Sequence, residues 1–250
     1  QEICSKIFMF ACKSPHTGLS VAILKKILGL SFYKKLIEYK ENEEDDKNVI
    51  KIMNSTLTSS QDKQLTFDIS HLKSLQNLTN ISLYRTGVNG DIENLKSLTN
   101  LTEIYLSGTG VTGNIAHLKS LPNLTDIHLG GTGVTGDIAH LKSLLNLTEI
   151  YLSDTGVSGD IVHLKSLLNL TKIALGGTGV SGNIAHLESL TNLTYICLHD
   201  TGVTGDIAHL TSLPKLTEIY LSRTGVIKDG ENTFHKSREI SGLLECNMYL

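Results

Sequence analysis

Apolar positions recur along the chain with a period of 23 residues, which is the strongest feature of the sequence. The repeats begin at Leu78, Leu101, Leu124, Leu147, Leu170, Leu193 and Leu216. Six of them are complete, the seventh keeps the pattern to about residue 226, and residues 65–77 form the second half of an earlier one. Such a period indicates a repeat solenoid, in which each turn of the chain buries its apolar face against the next.

Each repeat divides into three segments with different patterns. Apolar residues alternate with polar ones near its start, as in Leu101, Ile104 and Leu106, which predicts a half-buried strand. The following Thr-Gly-Val-Thr-Gly (109–113) is rich in turn residues and predicts a tight turn. In the last third (115–121), apolar residues are three apart, which favours a short 3₁₀ or helical return.

The pattern LxxIxLxxTxVxGxI resembles the leucine-rich-repeat signature LxxLxLxxNxL over about residues 65–227. Leu-Thr-x-Ile at the start of each repeat and Leu-x-Asn-Leu at its end are similar to the bacterial internalin type. Gly-x-Ile after the valine is similar to the plant extracellular type. The resemblance implies an α/β solenoid. This is a right-handed superhelix with a parallel β-sheet on the concave face and short 3₁₀, helical or irregular returns on the convex face.

Threonine stands where this family usually has an inward-pointing asparagine. The threonines are Thr86, Thr109, Thr132, Thr155, Thr178, Thr201 and Thr224. A hydroxyl group can also satisfy backbone groups in the turn, although with a shorter reach. We therefore expect these residues to be structural.

Three regions follow from these patterns. Residues 49–227 are predicted to form the solenoid, with a degenerate first repeat and a partial last one. Residues 1–48 combine a basic, helically patterned segment (17–40) with an acidic linker (41–46). We expect a cap on the first repeat or the remnant of a lost domain, with a helix lying on a membrane as the alternative. Residues 228–250 are expected to be a tail or a weak C-terminal cap.

Charge and composition narrow the classes of partner. A net charge of −3 and a pI of about 6.4 give no electrostatic reason to expect nucleic acid or an anionic membrane. No apolar run reaches the ~18–20 residues of a membrane span. The four cysteines form neither a metal cluster nor a disulfide framework, so they do not fix the compartment. An extracellular or cell-surface location is slightly favoured.

The predicted concave face carries the candidate binding residues. Positions 3, 5, 7 and 8 of the repeat vary while the framework positions stay nearly constant, so the fold does not dictate them. Five of the eight tyrosines lie there, together with six acidic and three basic residues. This composition predicts recognition of a protein or glycan with a neutral or basic surface. The candidates are Tyr84, Arg85, Glu103, Tyr105, Asp126, His128, Glu149, Tyr151, Asp154, Tyr195, His199, Asp200, Glu218, Tyr220 and Arg223.

A structural or surface spacer is the alternative function, because tyrosines also fit pleated strands without binding anything. Ice binding is its special case, through a threonine and serine column. That column is Thr112, Thr135, Ser158, Ser181 and Thr204. An aspartate and asparagine column two positions later argues against ice binding, since it holds ordinary hydration.

No phosphate loop, nucleophile elbow or HExxH motif occurs, so the sequence predicts neither an enzyme nor a cofactor. A histidine column on the predicted convex side has no second ligand beside each residue, and we predict no metal site. Its members are His71, His117, His140, His163, His186 and His209. Asn-Leu-Thr recurs at the repeat boundary, where the repeat consensus itself accounts for it, and whether these sequons are glycosylated stays open.

Overall fold

The computed structural model describes residues 68–74, 76, 78–228, 231–232 and 247–249. The helical segment and acidic linker predicted for residues 1–48 lie outside these residues. Most of the predicted C-terminal tail also lies outside them. Within the described part, each of the six complete repeats contributes two strands and a 3₁₀ helix.

The first sheet contains eight parallel strands, seven of them at the start of successive repeats. They are β1 (Asn80–Ser82), β3 (Glu103–Tyr105), β5 (Asp126–His128), β7 (Glu149–Tyr151), β9 (Lys172–Ala174), β11 (Tyr195–Cys197), β13 (Glu218–Tyr220) and β16 (Asn247–Tyr249). Equivalent residues pair in register, so Ile104 lies beside Ile81 and Ile127. Each position of the repeat therefore forms a straight row across this sheet.

A second sheet follows, where the sequence analysis expected a turn. Its strands are β2 (Asn89–Asp91), β4 (Gly110–Asn114), β6 (Gly133–Asp137), β8 (Gly156–Asp160), β10 (Gly179–Asn183), β12 (Gly202–Asp206), β14 (Gly225–Lys228) and β15 (Glu231–Asn232), all parallel except the last. The expected turn was wrong, because the valine in this segment is buried while its neighbours are exposed, which is strand alternation. Close packing explains the glycines: a Cβ on Gly110 would lie 3.3 Å from the carbonyl oxygen of Val88.

A 3₁₀ helix follows the strands of each complete repeat, and another lies in the half repeat before Leu78, as the spacing of apolar residues predicted. The helices are Ile69–Ser74, Ile92–Leu95, Ile115–Ser120, Ile138–Leu141, Ile161–Leu164, Ile184–Leu187 and Ile207–Ser212. Where β6 ends, Asp137 caps the next helix by accepting a hydrogen bond of 2.7 Å from the Ala139 amide. The aspartate and asparagine column of the sequence is thus a row of helix caps.

The core is a continuous stack of leucine, isoleucine and valine side chains. Leu101, Ile104 and Leu106 are fully buried, as are their equivalents in the central repeats. The seven threonines are buried too, and each hydroxyl donates to the carbonyl of the leucine three residues earlier at 2.5–2.7 Å. The predicted structural role of threonine is therefore confirmed.

The repeat boundary is tied together by asparagine side chains. Asn123, for example, donates from Nδ2 to the carbonyl oxygen of Thr99 in the previous repeat at 2.9 Å. Four other boundary asparagines donate across the same 24-residue separation. These hydrogen bonds explain why the asparagine of Asn-Leu-Thr recurs, and glycosylation is not needed to account for it.

Candidate recognition surface

The fifteen candidate residues share one surface, formed by the outward side of the first sheet and the turn after each strand. All of them are at least partly exposed, whereas the isoleucines between them are buried. Strand alternation separates the two sets, since successive side chains point to opposite sides of a sheet. We call this surface the first-sheet face.

An aromatic row crosses the first-sheet face over six repeats. Ring centroids are 4.5 Å apart between Tyr105 and His128, and 4.3 Å apart between His128 and Tyr151. The row continues from Tyr151 to Tyr195 at 6.3 Å and from Tyr195 to Tyr220 at 5.6 Å. These separations are typical of interacting aromatic pairs, so the five rings form one surface.

Tyr195 enters this row although it occupies a different repeat position from the other rings. Ala174 and Cys197, which lie between Tyr151 and Tyr220, are small and only 4% and 7% exposed. The Tyr195 ring lies between Tyr151 and Tyr220 and covers that space. Burial raises the pKa of the Cys197 thiol, although a hydrogen bond with Tyr195 opposes the shift. Cys197 is therefore a small buried residue that fills space beneath the Tyr195 ring.

Tyr195→Ala is expected to expose Cys197 and to make its alkylation severalfold faster, since thiol reactivity follows exposure and thiolate content. Peptide mapping after timed iodoacetamide treatment at pH 8 measures the rate at this cysteine separately from the others. Tyr105→Ala, at the opposite end of the row and four strands away from Cys197, serves as the control. Equal protection of Cys197 in wild type and Tyr195→Ala would contradict the covering role.

A charged network surrounds the His128 ring. Its Nε2 lies 3.1 Å from Glu149 Oε2, and Lys172 Nζ lies 2.9 Å from Glu149 Oε1. Burial lowers the pKa of His128, although the Glu149 carboxylate opposes this effect. Burial also raises the pKa of Tyr105, with the carboxylate of Asp126 as the next cause. The hydrogen bond to Glu149 raises the pKa of Lys172, so Lys172 keeps its positive charge near neutral pH.

The turns after the strands have a left-handed backbone at the eighth repeat position. Gly108, Gly131 and Gly177 occupy it with φ of 64–68°. Arg85, Asp154, Asp200 and Arg223 occupy the same position with φ of 54–57°. Non-glycine residues adopt this region at a cost, so the local backbone conformation favours glycine over the four charged residues.

Asp154→Gly is therefore expected to raise the free energy of unfolding by about 0.5–1 kcal/mol, since glycine relieves the left-handed strain. Urea unfolding followed by circular dichroism measures the change. Ser153→Gly, one residue earlier and without a positive φ, should instead lower stability. Destabilisation by Asp154→Gly as large as that by Ser153→Gly would contradict the strain argument.

Three further contacts organise the ends of the first-sheet face. Arg85 lies over the Tyr84 ring, with the guanidinium carbon 5.0 Å from the ring centroid. At the other end, Asp200 Oδ2 accepts from Arg223 at 2.6 Å and lies 3.0 Å from His199 Nδ1. The sequence placed these residues on one face, but the pairs themselves become visible only in three dimensions.

The second sheet presents a different outer surface. Its threonine and serine column is exposed. On one side of this column lie exposed glycines equivalent to Gly110, and on the other side lie the aspartates and asparagines that cap the 3₁₀ helices. Among the described residues, aromatic side chains do not occur on its strands. This surface offers hydroxyl and carboxylate groups at regular spacing and little rigid apolar area.

No family model matches the sequence, and no curated protein matches it significantly. The fold is similar to solved structures of leucine-rich-repeat proteins. One is the leucine-rich-repeat ectodomain of the receptor kinase GASSHO1/SCHENGEN3 from Arabidopsis thaliana, in complex with CASPARIAN STRIP INTEGRITY FACTOR 2. It is 28% identical to this chain with a TM-score of 0.59, and the match covers 64% of this chain and 20% of that one. The plant peptide hormone receptor RGFR1 in complex with RGF2 is 26% identical with a TM-score of 0.58, covering 63% and 26%.

Internalin C2 from Listeria monocytogenes is 28% identical with a TM-score of 0.56, and the match covers 73% of this chain and 74% of that one. The match with the two plant receptors described above covers only about a fifth to a quarter of their chains. Strands repeating every 23 residues in two parallel sheets, together with these similarities, define the protein as a leucine-rich-repeat solenoid. Among the described residues, no helix has the length and apolar character to cross a membrane.

Proposed function

We propose that the protein recognises an extended polypeptide on the first-sheet face, which the sequence analysis takes as the concave side of the solenoid. The observation that carries the proposal is the continuous row of five half-exposed rings. Tyrosine supplies rigid contact area at low entropic cost, and tyrosines dominate many interfaces. Core packing does not explain these rings, because the buried positions of the same strands are isoleucines.

Charge favours a polypeptide that carries basic residues. Carboxylates accompany the row on four strands, at Glu103, Asp126, Glu149 and Glu218, and Lys172 is the one cation among the equivalent positions. Opposite charge on a ligand would therefore steer its approach and fix its register. The similar plant receptor RGFR1 is named as a peptide hormone receptor, which supports a peptide over a glycan.

Selection from a random peptide library tests this function without knowledge of the natural partner. Peptides enriched on the wild-type protein should be rich in lysine and arginine. Their affinity should fall tenfold or more in the Tyr105→Ala, Tyr151→Ala, Tyr220→Ala variant, because three of the five rings are lost. Urea unfolding checks that this variant remains folded.

A matched triple variant on the second sheet provides the control. Thr112→Ala, Thr135→Ala and Ser158→Ala remove exposed side chains of the other surface and should leave the affinity unchanged. The proposal fails if no peptide is enriched, or if the selected peptides lose affinity only in this second variant. The latter result would favour the outer face of the second sheet as the functional surface.

A further inference from the structure

We propose that Asp126, His128 and Glu149 form a binding site for a divalent transition-metal ion, and that zinc suits it best. One imidazole nitrogen and two carboxylate oxygens converge, with their ligand atoms all within 4.8 Å of one another. Imidazole and carboxylate groups are ordinary zinc ligands, and the imidazole disfavours magnesium and calcium. This inference goes beyond the proposed recognition of polypeptides and does not depend on it.

The backbone brings the three side chains together. Asp126 and His128 are alternate residues of β5 and therefore share one side of the sheet. Glu149 is paired directly with Asp126 on the neighbouring strand β7. The donors thus come from two strands of a rigid sheet, and this placement requires no loop to move.

The separation of His128 Nε2 from Glu149 Oε2 suits a tetrahedral ion. His128 Nε2 and Glu149 Oε2 are 3.1 Å apart. Two ligands with metal–ligand bonds of about 2.0–2.1 Å in tetrahedral geometry lie about 3.3 Å from each other. A zinc ion can therefore replace the contact between these two groups with little rearrangement.

Neighbouring groups hold the donors in place. The Asp126 carboxylate accepts hydrogen bonds from the hydroxyls of Thr125 at 2.6 Å and Thr148 at 3.0 Å. The His128 ring lies between Tyr105 and Tyr151 in the aromatic row. Hydrogen bonds and packing that orient ligands in this way commonly strengthen metal sites.

Three protein ligands leave a fourth coordination position for water or for a donor atom of another molecule. The side chains of His128 and Glu149 remain 22% and 23% exposed, so an ion can reach them from solvent. Lys172 Nζ, 2.9 Å from Glu149 Oε1, is the cation that a metal ion would have to displace or tolerate. Its position gives the proposal a sharp test.

Isothermal titration of the full chain with zinc chloride, in a buffer that does not chelate, tests the site. We expect wild type to bind one zinc ion at this site, with affinity at least tenfold lower in His128→Ala and in the shape-conserving Glu149→Gln. His199→Ala is the matched control, because His199 also lies on the first-sheet face but contacts Asp200 and is not part of the three-residue cluster. Its zinc affinity should equal that of wild type.

Lys172→Met should bind zinc roughly threefold to tenfold more tightly, because a neighbouring positive charge is removed in a partly screened environment. Imidazole resonances assigned to His128 by NMR should shift on addition of zinc. Equal zinc affinity in wild type and His128→Ala would overturn the proposal, since the ion would then bind elsewhere on the protein. Weaker binding by Lys172→Met would also overturn it.

Discussion

Replacing Gly159 by alanine is expected to lower the free energy of unfolding by about 2–4 kcal/mol. Gly159 has a φ of 110°, a conformation that side chains with a Cβ rarely adopt. An added Cβ would also overlap the carboxylate of Asp137 in the preceding repeat. Because that carboxylate caps the next 3₁₀ helix, the substitution strains the backbone and displaces the cap at the same time.

Two controls separate these causes. Gly131 also has a positive φ, 64°, but the nearest atoms to its added Cβ are 3.9 Å away, so Gly131→Ala should cost only about 1 kcal/mol. In an Asp137→Ala background the overlap is gone, and Gly159→Ala should cost less than it does in wild type. Urea unfolding of the four variants measures both effects. A cost for Gly159→Ala no larger than that for Gly131→Ala would contradict the account of the cap.

Thr155→Val is expected to lower the free energy of unfolding by about 1–3 kcal/mol, although valine nearly preserves the shape of threonine. The Thr155 hydroxyl donates to the carbonyl oxygen of Leu152 at 2.5 Å inside the turn. The substitution leaves that buried carbonyl without this donor. The cost therefore arises from an unsatisfied backbone group and not from a cavity.

The same substitution at Thr135 is the matched control, since this threonine is exposed on the second sheet. Thr135→Val should change stability by less than about 0.5 kcal/mol. Comparable losses at the two positions would mean that the hydroxyl of the turn is not the structural replacement for asparagine.

Periodicity made most of the framework predictable. The buried columns, the strands of the first sheet, the 3₁₀ returns and the role of the turn threonines all follow from residue type and spacing. The second sheet was missed because glycine at two positions of Thr-Gly-Val-Thr-Gly is typical of turns, whereas in the structure it relieves close contacts between stacked strands. The buried valine between exposed neighbours was the signal that favoured a strand.

The first-sheet face was predictable in its members but not in its contacts. Tyr195 joins the row because the small side chains of Ala174 and Cys197 leave space for its ring between Tyr151 and Tyr220. The direction of the Tyr195 side chain decides this contact, and the sequence does not give that direction. The approach of Asp126 and Glu149 to His128 depends on the register of the strands and on the side-chain rotamers. An alignment of the repeats implies the register, but it does not imply the rotamers. For this reason the sequence predicts no metal site on this face, and metal binding could be weighed from it only for the histidine column.

Fluorine NMR of protein labelled with 3-fluorotyrosine tests the central claim most directly, with resonances assigned by single Tyr→Phe variants. Addition of a saturating selected peptide should shift or broaden the resonances of Tyr105, Tyr151, Tyr195 and Tyr220 together. This result would locate the ligand on the aromatic row of the first-sheet face. Four unchanged resonances in the presence of bound peptide would contradict the account and place the binding surface elsewhere on the solenoid.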